Sequence, residues 1–327
     1  MNTIISLSSR KFRNLAWPGL TRNVSHGRRV SPGRFMHVVP LLCGVGIFLI
    51  CLPAICMAGD TVVTAVAAKV SDDYTRVRLP DGKFEPETYA FGQGGYWSGA
   101  LRDKTIDELS FTQMARTIAK PLQTQNYLPT KDPKTTKLLI MVYWGTTRAS
   151  EHPSDTLAFQ RTIEANDAWQ RAKASGDPST IADANEAFTA AYSLLAVENA
   201  ARDRMNAKNA AVLGYDSWWE ATRDLENTPL RIRRDDMIDE LESNRYFVVL
   251  MAYDFQLLWK HKKHKLLWET RFSISEQRNE FDRQLATMAQ EASKYFGRDS
   301  HGLVRKVQTG HVDLGELKIL GVESGGK

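Results

Sequence analysis

The sequence predicts an α+β fold: an antiparallel or mixed sheet of about four strands with helices on one face and a helical segment inserted at about 154–226, behind an N-terminal export signal or anchor. Three observations predict it. Leu138-Leu139-Ile140-Met141-Val142-Tyr143-Trp144 is an unbroken apolar run of strand length, as in a strand covered on both faces. Residues 246–259 and 266–274 carry apolar side chains with a period of two and flank the basic stretch Lys260 to Lys265 like the arms of a hairpin. The middle third and the segment from Phe281 to Tyr295 instead repeat apolar residues every three or four positions, the helical period.

Taken in order, residues 59–87 form a lead-in with a turn at Leu79-Pro80-Asp81-Gly82, where proline presets one dihedral and glycine permits another. Thr88 to Phe91 reads as a short strand, and Gly92 to Gly99 as a flexible aromatic loop. Thr105 and Glu108 have the spacing of a capping box. They predict a helix with Phe111, Ala115, Ile118 and Leu122 on one stripe, ended or kinked by Pro121. Asp177-Pro178 opens a long helix in which Leu194, Val197, Ala201, Met205, Lys208 and Val212 keep the period up to a stop at Gly214. Ser217 and Glu220 form a second capping box, opening a short helix with Trp218 and Trp219. In the hairpin, Phe247, Val249, Met251, Tyr253, Phe255, Leu257 and Trp259 share one side of the first strand. Leu266, Trp268, Thr270, Phe272 and Ile274 share one side of the second, with Glu269, Arg271 and Ser273 toward water. A last helix carries Phe281, Leu285, Met288, Ala292 and Tyr295 and stops at Gly297.

Charge and cysteine are concentrated ahead of this body. The 327 residues carry a net charge of +5, but residues 1–58 contain seven basic side chains and no acidic one. The remainder, 59–327, has 36 basic against 38 acidic residues, so the part that folds is slightly acidic. That removes the phosphate-neutralising excess on which nucleic-acid affinity rests. Cys43, Cys51 and Cys56 also lie within 1–58, so the body holds no disulfide, thiol nucleophile or cysteine-bound zinc. A basic arm followed by the aliphatic core Val38 to Leu52 reads as an export signal. Pro53 and the small residues Cys56 and Ala58 fit cleavage after Ala58, leaving a periplasmic or cell-envelope protein. An uncleaved single transmembrane helix at about 38–57, with the basic arm inside, satisfies the positive-inside rule and is then the chain's one contact with the membrane.

Four features of the body bear on function. Lys260, His261, Lys262, Lys263, His264 and Lys265, flanked by Trp259 and Trp268, suit contact with an anionic surface component or an acidic partner, and equally a solvated tip that discourages edge pairing. Tyr96 and Trp97 in the glycine-rich stretch suit packing or contact with a ligand. Asp235, Asp236, Asp239 and Glu240 suit pairing with Arg231, Arg233 and Arg234 in a helix's first turn. The body histidines have no His-Glu-x-x-His spacing, and the one Ser-x-x-Lys of the body, Ser324 to Lys327, has no Ser-Asp-Asn or Lys-Thr-Gly to accompany it, which argues against zincin proteases and penicillin-binding-type acyl enzymes. No catalytic, cofactor or metal residue is assigned.

The order of a short strand ending Tyr89-Ala90-Phe91, a helix, the strand 137–144, and a hairpin whose second arm opens Leu266-Leu267-Trp268-Glu269 before a closing helix resembles small envelope-associated α+β domains of unknown function in bacterial exported proteins and lipoproteins. The resemblance covers about half of the body and rests on topology; the chain departs from it by lacking a lipobox and by its inserted helices, and no functional residue carries over. It implies a non-enzymatic envelope protein acting through partner or surface binding. The competing readings are a periplasmic hydrolase of glycan or peptide drawing on Asp235, Asp236 or Glu269, and a small-ligand carrier with a tryptophan-lined cavity beneath the inserted helices.

Overall fold

The computed structural model describes residues 61–222 and 230–309. Its centre is a mixed sheet of seven strands: β1 (Thr61–Val70), β2 (Glu87–Trp97), β3 (Tyr127–Pro129), β4 (Leu138–Thr146), β5 (Arg245–Asp254), β6 (Leu266–Ser275) and β7 (Val304–Thr309). Their order is β3-β2-β4-β5-β6-β1-β7. β2 runs parallel to β3 and β4, and the other neighbours are antiparallel. The fold is therefore α+β as the sequence predicts, with more strands than the four expected. β1 is rich in alanine, a poor strand former, and its smallness is a packing requirement: a Cβ added to Gly214 would lie 2.5 Å from the Ala67 Cβ. β3 and β7 are edge strands of three and six residues, too short to show a period.

Helices cover both faces of the sheet, not one. Beneath it lie α1 (Lys104–Asp107), α2 (Phe111–Thr124) and α8 (Phe281–Ser293), which bury Ile106, Ile118, Leu122, Phe281, Leu285 and Met288 against Ile140, Val142, Val248 and Phe272. The other face is covered by the end of α4 (Pro178–Leu213), by α6 (Leu230–Glu242) and by α7 (Phe255–His261), whose Leu213, Leu241 and Leu258 meet Leu139, Met141, Phe247 and Val249. α5 (Asp216–Thr222) joins the same layer through Trp218 and Trp219. Double cover explains why every residue of β4 is buried. It also corrects the expectation that Glu269, Arg271 and Ser273 face water. They lie under the second helical layer, where Glu269 and Arg271 pair at 2.9 Å and Ser273 accepts a bond from Arg245 Nε at 3.3 Å.

Local start signals are displaced in two places. Asp103, whose carboxylate accepts from Thr105 N, caps the single turn α1, and the capping box that opens α2 is Ser110 with Gln113. Thr105 is inside α1 because Asp103 competes for the same backbone groups and is the stronger acceptor. α5 starts at Asp216, so Ser217 lies within it and not at its cap. Pro121 sits inside α2, which runs on to Thr124, where the Thr124 hydroxyl returns a bond to the Pro121 carbonyl. The turn at Leu79–Gly82 forms as expected, with Gly82 at φ 81°.

α3 (Leu157–Ser175) and the first half of α4 form an antiparallel pair. Asp177 caps α4 by accepting from Thr180 N, and bonds from the Thr180 and Ser179 hydroxyls, together with that cap, hold its carboxyl down to about 2; Gly176 and Gly214 provide left-handed stops. The cysteines, the span 38–57 and the cleavage position Ala58 lie outside the described residues. Among the described residues no helix is long and apolar enough to cross a membrane.

Candidate functional site

The basic stretch is not a hairpin tip. β5 ends at Asp254, whose carboxylate caps α7 by accepting from Leu257 N at 2.9 Å. The residues 255–259 satisfy both periods, and tertiary packing selects the helix: Phe255 and Leu258 are buried, Phe255 stacks on Trp259 at 6.1 Å, and Trp259 stays exposed. Lys260 and His261 form the last turn, and Lys262 is its left-handed cap at φ 56°. The Lys262 ammonium folds back onto the Trp259 carbonyl at 3.0 Å, where it complements the helix's negative end. Lys265 pairs with Asp73 at 2.5 Å, and that bond holds the Asp73 carboxyl below its usual range. Lys260, His261, Lys262, Lys263 and His264 are exposed, Lys262 with its ammonium engaged by the Trp259 carbonyl, and Trp268 lies in the core beside Tyr127 and Phe296.

Residues 92–97 are strand rather than flexible loop, with a bulge between Gln93 and Gly95. The glycines are what β4 demands of its neighbour. A Cβ on Gly92 would lie 2.3 Å from Met141 Sδ and one on Gly94 2.4 Å from the Tyr143 ring, so these large side chains lie across bare β2 backbone. Trp97 packs on Tyr143 and Phe247 at 5.7 and 5.9 Å. Tyr96 sits 5.8 Å from Trp144 and donates its hydroxyl to Asp107, and burial together with that carboxylate pushes the phenol's pKa up. Both aromatics thus have structural partners.

The acidic group lies in the body of α6, more than a turn beyond Leu230. Glu240 accepts from the Tyr215 hydroxyl at 2.5 Å and pairs with Arg305 at 2.9 Å and Arg245 at 3.6 Å, tying β7 and β5 to the helix. Asp236 borders an open groove of about 880 Å³ lined also by Gly214, Trp218, Met237, Leu303 and Arg305. Glu269 does not line it, and its walls are half polar, unlike a tryptophan-lined apolar carrier cavity. Among the described residues no group of three or more His, Cys, Asp or Glu is placed to hold a metal ion.

Sequence reasoning missed a carboxyl pair at the Thr146 end of the sheet. Burial and the neighbouring Asp103 charge raise Glu276, whereas Asp103 is lowered, burial being outweighed by bonds from the Tyr246 hydroxyl and Thr105. Asp103 is also the α1 cap, so this pair is already committed to joining α1 to β5.

α3 and the first half of α4 form an arm that stands apart from these contacts. The paired length of α3, 19 residues, spans about 28 Å. Its seam is a heptad pattern, Ala158, Thr162, Ala165, Trp169 and Ala172 against Ile181, Ala184, Phe188, Ala191 and Leu195, with Trp169 stacked on Phe188 at 5.4 Å. Thr162 donates to the Ala191 carbonyl across the seam at 3.2 Å. The root of α4 is fixed to the body: Asn209 donates to the Arg148 and Leu241 carbonyls, and Glu242 holds Asn206 and Arg202. The register places this root beside the Thr146 end of β4 and the lysines beside its Leu138 end, so the two candidate surfaces lie at opposite ends of the sheet. The periodic stripe along α4 points outward at Leu194 and Val197, which are 41% and 64% exposed, and turns onto the body only at Val212. Tyr192, Leu157 and Ile163 are exposed on the same arm.

No family model and no curated protein matches the chain. Among solved structures, a PDZ domain protein from Parabacteroides distasonis aligns with 75% of this chain at 12% identity and a TM-score of 0.34, a level that does not establish a shared fold. The alignment covers 38% of that protein's length.

Proposed function

We propose that this chain is a non-enzymatic envelope protein that acts by binding, with the α3–α4 arm as its contacting element. The observation that supports this most is the arm itself: a rigid helical pair, rooted by buried asparagines, that exposes Leu157, Ile163, Tyr192, Leu194 and Val197 to solvent. Apolar side chains that share one face clear of the core, as Leu194 and Val197 do, are the mark of an interaction surface. The hydrolase reading is less favoured, because Glu269 is taken up in an ion pair with Arg271 and does not line the groove that Asp236 borders. Placement in the envelope rests on the sequence of residues 1–58, and the exposed Lys260, His261, Lys263 and His264 form a second, electrostatic contact zone at the far end.

The test is to shorten the arm by joining Thr162 to Ala191, which face each other across the seam, through a short Gly-Ser linker. Photo-crosslinking from position 192 in whole cells, with position 263 as comparison, identifies the contacts of each surface. The shortened protein is expected to fold, to keep its contacts from 263 and to lose its cellular activity. Full activity of a folded, arm-shortened protein would refute the proposal.

A further inference from the structure

We infer that the exposed face of α4 is a self-association surface, on which a second copy of this chain packs its own α4 antiparallel. The inference rests on the arm being a binding element and names what it binds. Ala187, Ala190, Leu194, Val197 and Ala201 recur at alternating spacings of three and four and are all exposed. This is a second heptad stripe, separate from the seam with α3, and its own positions carry no charge over about four turns. Exposed Lys208, two heptads beyond Leu194, continues the same face toward the body.

The occupant is identified by the charges at the two ends of the stripe. Toward the arm's tip the flanking residues are Asp183 and Glu186; toward its root they are Arg204 and Lys208, and all four are exposed. Among the described residues none of the four has an ion-pair partner. In an antiparallel coiled coil with Leu194 layered against Val197 of the second copy, Ala190 falls opposite Ala201 and Asp183 opposite Lys208, with Glu186 beside Arg204. A two-fold axis repeats each pair, so the pattern is complementary to itself. A parallel pairing would set Asp183 against Asp183 and Lys208 against Lys208, which like-charge repulsion opposes. Alanines at the facing positions let the two helices approach closely.

Sedimentation velocity on the full chain in detergent-free or mild-detergent solution, from about 1 to 100 µM, tests this. A dimer is expected whose association weakens about tenfold or more with Leu194→Glu and becomes stronger as salt is lowered. Asp183→Lys and Lys208→Asp are each expected to impair homodimerisation relative to wild type, a loss that antiparallel pairing predicts and parallel pairing does not, since in parallel all three homodimers carry two like-charge contacts; an equimolar mixture of the two variants is expected to form a one-to-one heterodimer. Recovery by mixing also excludes misfolding as the cause of either single defect. A monomer throughout the range, a dimer indifferent to Leu194→Glu, or failure of the mixture to associate would overturn the inference. A monomeric chain that keeps its arm-dependent cellular contacts would overturn self-association alone and leave the arm's role as a binding element standing.

Discussion

Gly145→Ala tests the reassignment of the glycine-rich stretch from loop to strand. Gly145 pairs with Trp97, and an added Cβ would lie 2.3 Å from the Trp97 carbonyl oxygen and 2.8 Å from the Trp97 Cβ. Ordinary contact begins near 3.4 Å, so β2 and β4 must part by about 1 Å at their Thr146 end. The obstructing atoms are backbone, which no rotamer change can move aside. Local loss of one ladder hydrogen bond costs about 1 kcal/mol and overpacking a further 1–3, for about 2–4 kcal/mol together. For a body of this size that lowers the melting temperature by about 5–15 °C in a circular-dichroism melt. Gly176→Ala, at the arm's open turn with φ 72° and nothing within 4 Å, should cost only the strain of a left-handed alanine, about 1 kcal/mol. A Gly145→Ala protein melting within about 2 °C of the parent would refute the close approach of β2 and return residues 92–99 to a loop.

Helical phase in α7 is read by alanine substitution: Leu258→Ala should cost about 2–4 kcal/mol in urea unfolding and Trp259→Ala less than about 1, whereas a continuing strand reverses that order. Tyr246→Phe removes the hydroxyl that helps hold Asp103 ionised, and with the exposure of Asp103 discounted the loss at neutral pH is about 1 kcal/mol. Because the folded pKa of Asp103 is depressed, this contribution is present above the unfolded value and disappears as pH falls through the folded one, so wild type and variant should converge on acidification below about pH 4; a constant difference down to pH 2 would count against it. Binding to dextran sulfate should weaken with the pair Lys260→Ser and Lys263→Ser much more than with Lys265→Ser, whose partner is Asp73; equal losses would contradict the division into exposed and paired lysines. Intact-mass analysis of the exported protein should show a chain beginning at Gly59; a retained N-terminus would favour the anchor at 38–57.

Sequence alone was sufficient wherever a local pattern decided the backbone. Leu138 to Trp144 is the fully buried β4 that seven consecutive apolar residues demand. Asp177-Pro178 and Gly214 bracket α4 because caps act through atoms within a few residues. Phe281, Leu285, Met288 and Ala292 are the buried stripe of α8. Tertiary structure decided what depends on distant neighbours. The 255–261 segment fits either period until the layer over β5 buries Leu258, and Gly92 and Gly94 look like hinges until Met141 and Tyr143 are laid across them. The polar residues of β6 look solvent-facing until α4 and α6 cover them, and only the fold divides the lysines into exposed and paired. The α4 stripe shows the division most directly. Its period from Leu194 to Lys208 is written in the chain, but whether that stripe faces the core or the solvent depends on where α3 packs, and α3 takes the neighbouring face. Periodicity reports the geometry of one element, whereas burial is a property of the elements that meet it.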